Sequence, residues 1–129
     1  MIISNREEYV NYRFHRAEES YEEALILAKE ERWNAVINRL YYACFYAVGA
    51  LLTKNNYSAS SHKGMRQIFG QKFVKTGIIE RDLAKHYTDL FEKRHKGEYN
   101  DFYDFEEETV LRLFPVSKLF IVRIEELLK

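Results

Sequence analysis

The chain has 129 residues and a mass of 15.5 kDa, enough to bury most of one core. Its 20 basic and 20 acidic side chains cancel, which excludes a histone-like basic protein and an acidic disordered tail, and 47% hydrophobic with 16% aromatic residues excludes disorder. Five glycines and one proline are too few for a sandwich or barrel that turns about every 8–12 residues, and a lone cysteine excludes an intrachain disulfide or a thiolate zinc site within one chain.

The first helix opens on a capping box, Ser4 with Glu7, whose side chains satisfy amides left without partners at a helix start. Val10, Phe14, Ala17, Tyr21, Ala24 and Ala28 then step by four and three, one apolar stripe, with Glu18, Glu19, Glu22 and Glu23 on the solvated side. Trp33 and Asn34 read as a joint, Asn34 capping the second helix. That helix carries Ile37, Leu40, Cys44, Ala47 and Leu51 and is apolar almost all round from Leu40 to Leu52, so it is expected at the centre. Residues 54–60 are a polar connection. Ser61 caps a third helix, His62 to Phe73, which buries Met65, Ile68, Phe69 and Phe73 and ends at Gly77. A fourth helix opens near Glu80, buries Leu83, Tyr87 and Leu90, and stops by Gly97. After an acidic, aromatic connection from Glu98 to Glu106, the last helix spans Glu107 to Leu128, kinked or broken at Pro115. These elements predict one all-α domain over residues 1–129, an antiparallel up-and-down bundle of four to five helices.

The longest charge-free run, which holds Leu40 to Leu52, is shorter than the roughly 20 residues of a membrane span. With no basic, then apolar, leader at the N-terminus, a cytoplasmic protein with no membrane partner is expected. Charge is nonetheless segregated. Residues 1–33 hold five basic and eight acidic side chains, residues 34–97 eleven and four, and residues 98–129 four and eight. The basic middle also holds His62, His86 and His95. It either packs beside the acidic ends or forms a surface for phosphate-bearing ligands.

Metal chemistry finds little support. Glu92 and His95 form the one Glu-x-x-His pair, the central helix has no carboxylate, and neither a His-Glu-x-x-His motif nor an EF-hand loop occurs. Gly64, Gly70 and Gly77 do not make a P-loop, so no metal and no cofactor are expected. Cys44 reads as a core residue, and His15 and His86 as helix-surface histidines without an evident partner. Arg94 is different. The stripe Leu83, Tyr87, Leu90 continues to position 94, so an arginine stands where the core face would go on, followed by His95 and Lys96. It either faces the carbonyls at the helix end or aims a guanidinium inward to grip a phosphate. Arg39, just ahead of the charge-free run, is similarly placed for burial.

Arg39, Tyr41, Tyr42, Ala43, Phe45, Ala47 and residues 50–52 resemble the central helix of HEPN domains, the helical bundles named for nucleotide binding in higher eukaryotes and prokaryotes. Residues 61–64 (Ser-His-Lys-Gly), Phe69 with Gly70, and residues 73–75 resemble the next block of the small prokaryotic members, and Arg94 to Phe102 the third. The resemblance implies a four- or five-helix bundle that dimerises, and for many members a metal-independent endoribonuclease toxin paired with a minimal nucleotidyltransferase. In those members an arginine is followed four to six residues on by a histidine. The arginine carries over to Arg94; Tyr99, Asn100 and Asp101 occupy the span where the histidine would fall, and Asp101 stands at the place of the family's modifiable tyrosine.

The resemblance therefore implies a homodimer that binds a nucleotide, an RNA or a nucleotidyltransferase through Arg39, Arg94, His95 and Lys96 without chemistry. The alternative is a ribonuclease in which Arg94 is joined by His95 or Tyr99 as a substituted base; whether the chain is an enzyme turns on that base. A third is a purely structural interaction module. The first two need Arg39 and Arg94 to meet in space.

Overall fold

The computed structural model describes residues 5–99 and 104–129, and among them every regular element is helical. The helices are α1 (Asn5–Lys29), α2 (Trp33–Lys54), α3 (His62–Phe69), α4 (Arg81–Tyr99), α5 (Glu107–Leu111) and α6 (Leu113–Leu128), with one π-helical turn, Gly70–Val74, continuing α3. Ser4, and with it the capping box, lies outside the described residues, as do residues 100–103 of the aromatic connection.

The joints follow from local hydrogen bonding. At the end of α1 the Glu31 amide donates to Ala28 O and the Arg32 amide to Leu27 O, both at 3.1 Å, the paired closure of a Schellman turn. This places Glu31 in the left-handed region at φ 56°. The end of α2 repeats the device: Asn56, at φ 63°, donates to Thr53 O, and Tyr57 to Leu52 O. The first turn is so tight that α2 already begins at Trp33 with Arg32 as its cap, so Asn34 is inside the helix instead of capping it. Ser61 does cap α3, its Oγ accepting from the Gly64 amide at 2.9 Å. Beyond the π turn, Gly77 takes φ 81°, which a side chain would oppose.

Two further boundaries differ from the sequence reading, besides the α-helical end of α3 at Phe69. Gly97 does not stop α4, which runs on to Tyr99. A Cβ at position 97 would come within 3.3 Å of the Phe105 ring, so this glycine serves close packing. The last helix breaks at Arg112, ahead of Pro115, because Pro115 lies in the first turn of α6, where an amide has no partner within the helix and its loss costs little.

α2 is the axis of the core. Val36, Ile37, Leu40, Tyr41, Ala43, Cys44, Ala47, Val48 and residues 50–52 are buried, covered chiefly by α1, α4 and α6. By length and composition α2 is apolar enough to cross a membrane, and two thirds of that stretch is covered by the other helices. From α1 come Ala17 and Ala24, from α4 Leu83, Tyr87 and Leu90, and from α6 Phe120, Ile121 and Ile124. Burying a side chain of this size contributes about 1.5–3 kcal/mol, so the apolar stripes set the helix faces. Ser20, His86 and Ser117 are the polar residues buried here among the described ones. His86 is buried, not on the surface, because α6 folds over it: its Nε2 lies 2.8 Å from Ser117 Oγ. Ser117 also bonds the wholly buried Cys44 thiol, whose pKa burial pushes up, leaving a residue suited to packing more than to nucleophilic attack.

Candidate functional site

Arg94 emerges from the buried stripe of α4 against one face of α2. Its guanidinium carbon is 4.8 Å from the Tyr41 ring centroid, 5.5 Å from that of Tyr42 and 5.6 Å from that of Phe91. Only 14% of its side chain is exposed. Nη1 donates to Tyr42 Oη at 3.4 Å and pairs with Glu98, one turn further on, at 3.3 Å. Glu98 is itself held by Asn38 Nδ2 at 2.8 Å. The Nε of Arg94 is buried without a hydrogen-bond partner. This is an inward, aromatic-seated cation and not a cap on the last carbonyls of α4.

Two further basic side chains converge there from α3, and the sequence reading assigned neither to the site. Arg66 places its guanidinium carbon 3.7 Å from the Phe91 centroid, so two arginines lie against one ring. Among the described residues no carboxylate pairs with Arg66, and its Nε too is buried and unbonded. His62, one turn before Arg66 on the same face of α3, stacks on Phe45 at 4.3 Å and on Tyr41 at 5.8 Å. Its Nδ1 lies 2.7 Å from Tyr41 Oη. Burial, then the nearby Arg94 and Arg66 charges, hold the His62 pKa below the usual histidine value, so its neutral form prevails at neutral pH. Burial likewise pushes the Tyr41 phenol up to about 12, against the opposing pull of Arg94, and keeps it a neutral hydrogen-bonding hydroxyl.

The other expected site residues are placed less closely. Arg39 is not buried: 41% of its side chain is exposed and Nε faces Glu23 of α1 at 3.9 Å, so Arg39 and Arg94 answer to different carboxylates. His95 is exposed and stacks on Phe91 at 6.5 Å. Because α4 continues past it, it stays about 100° round the helix from Arg94. Lys96 is exposed on the same turn. Tyr99 closes α4, and the role expected of its side chain lies outside the described residues. Among the described residues no three histidine, cysteine or carboxylate side chains come together as a metal site.

Fold and site together define an all-α bundle with a cationic, aromatic-walled cluster at the meeting of α2, α3 and α4. The HEPN domain family model matches residues 10–127, and the chain belongs to that family. A UPF0332 protein of Thermotoga maritima is 38% identical over 127 residues, covering 98% of this chain and 96% of that protein. Two proteins of Methanocaldococcus jannaschii named as candidate toxins are 32% and 25% identical, each over 113 residues and 88% of this chain, with 84% and 77% of their own lengths covered.

Proposed function

We propose that this chain is the HEPN component of a toxin–antitoxin-like pair, binding a nucleotide or an RNA through Arg94 and its neighbours. As a homodimer it pairs with a minimal nucleotidyltransferase; this partnership rests on the family resemblance and on relatives named as candidate toxins. The observation that carries the binding reading is the charge at the site. Among the described residues two arginines, each with a buried unbonded Nε, lie against Phe91, and one carboxylate, Glu98, pairs with them, on Arg94. A phosphate supplies the second negative charge and acceptors for the guanidinium donors. The test is binding of labelled single-stranded RNA and of a mononucleotide, in EDTA, by the parent and by Arg94→Ala. Loss of a charge-assisted hydrogen bond, about 1.5–3 kcal/mol, weakens binding roughly tenfold to a hundredfold. Equal binding by both proteins rejects the reading.

A second reading, metal-independent RNA cleavage, is favoured by His62. The histidine missing from the end of α4 has a counterpart on α3, held neutral and oriented by Tyr41 Oη. In this reading His62 takes the 2′-hydroxyl proton, the freed oxygen attacks phosphorus, and the arginines offset the phosphorane charge. The 5′-oxygen then leaves with a proton taken from solvent water, and His62 returns its own proton to solvent, giving a 2′,3′-cyclic phosphate and a 5′-hydroxyl. The same incubation in EDTA decides it: cleavage by the parent and by neither Arg94→Ala nor His62→Ala supports the reading, and unimpaired cleavage by His62→Ala removes His62 from it.

A further inference from the structure

A groove of about 470 Å³ lies between α3, the π turn and the first half of α4. Arg66, Lys75, Arg81 and Lys85 line it, with Phe69 and Tyr87 among its apolar walls and, among the described residues, no acidic side chain in its lining. Of these cations Lys85 is paired, with Asp89 at 3.0 Å, and Lys75, Arg81 and Lys85 are all exposed. At Gly70, where the π turn begins, an added Cβ would meet nothing within 4 Å, so the groove stays open there.

The groove is continuous with the Arg94 cluster in two ways. Arg66 belongs to both, lining the groove and lying on Phe91. Along α4, Ala84, Thr88, Phe91 and His95 follow at spacings of four, three and four, so one stripe of the helix leads from the groove to the aromatic site. Arg81 to His95 spans about 21 Å of helix. One phosphate does not reach both ends, whereas a strand with regularly spaced phosphates does.

We infer that the groove formed by Arg66, Lys75, Arg81 and Lys85 carries the backbone of a single-stranded polynucleotide whose neighbouring nucleotide occupies the Arg94 site. The inference rests on the nucleotide reading above and narrows it from any nucleotide to a chain of them. A polynucleotide fits better than an acidic protein segment because Arg66 of the groove lies on the half-buried ring of Phe91, with Tyr42, also half-buried, beside Arg94, and cationic grooves flanked by accessible aromatic rings hold single strands, phosphates on the cations and bases on the rings.

Fluorescence anisotropy with a labelled uridine dinucleotide and a longer oligouridylate, across a salt series, tests this on the parent, Arg94→Ala, and the triple variant Lys75→Ala, Arg81→Ala, Lys85→Ala. All three positions of the triple variant are exposed, and circular dichroism checks that its helices are intact. In the parent the longer strand binds more tightly than the dinucleotide. In the triple variant that advantage disappears, the dinucleotide is held as before, and the slope of log affinity on log salt becomes shallower by about 2, at roughly 0.7 for each phosphate left without its cation. Undiminished binding of the longer strand by the triple variant, with weakened binding by Arg94→Ala, overturns the groove alone and leaves it to an acidic protein segment. Weakened binding by the triple variant with none in Arg94→Ala overturns the Arg94 reading and keeps the groove as the binding site. If the parent binds neither probe, both fall.

Discussion

Arg94 holds its charge where 14% of its side chain meets water, and its stability there rests on three aromatic faces and on Glu98. Cation–aromatic contacts contribute from about 0.5 to 2 kcal/mol as they lose water. Glu98 therefore has two effects in opposition: it neutralises Arg94 in the free protein, and it competes with any phosphate that approaches. Glu98→Gln keeps the hydrogen-bonding shape and removes the charge. The expected result is tighter binding of phosphate-bearing ligands together with a loss of about 1–2 kcal/mol of stability. Titration with a mononucleotide and urea unfolding measure the two effects; unchanged or weaker binding would show that Glu98 does not guard the site. Position 94 is marked by its place in the stripe. Arg66 and His62 leave a fainter trace, four residues apart just behind the cap Ser61, because only the docking of α3 decides which ring they meet.

At the scale of the elements, three joints among the described residues use the left-handed backbone, and two of them meet that need differently. The turn after α3 places Gly77 at φ 81°, while the turn after α1 places Glu31 at φ 56°. A side chain in that conformation costs roughly 1–2 kcal/mol. Gly77→Ala should thus lower stability by about that amount, and Glu31→Gly should raise it by up to about 1 kcal/mol, the gain reduced by glycine's freedom in the unfolded chain. Denaturant midpoints measured at constant slope distinguish these outcomes. The helix ends show why boundaries are harder to read than helices. Glycine stops a helix only where the chain must turn; Gly97 is there for the Phe105 ring, and that ring arrives from beyond the connection.

For the whole molecule, the burial of His86 ties α4 to α6 and makes stability depend on pH. Burial, outweighing the opposite effect of Asp89, lowers its pKa from 6.5 to about 4. The unfolded chain then binds the extra proton first, so stability is complete above about pH 6.5 and falls as the pH drops toward 4, by up to roughly 3 kcal/mol. His62 adds to the loss in the same direction. Thermal unfolding of the parent between pH 7 and pH 4, beside His86→Gln, checks it: the variant should lose less on acidification, and an equal loss would place the proton elsewhere.

The amino-acid sequence by itself determined that the protein is helical, that α2 is its centre, that Ser61 and Gly77 bound the third helix, and that Arg94 interrupts an apolar face. These are properties of periodicity and local hydrogen bonding, and they act within a few residues. Only the tertiary structure decided that Arg39 turns to Glu23, that His86 is buried against Ser117, and that His62 and Arg66 join Arg94 around Phe91. Those outcomes depend on the rotation and seating of one helix against another, which are set by the filling of a shared core and have no counterpart in the spacing of residues along a single helix.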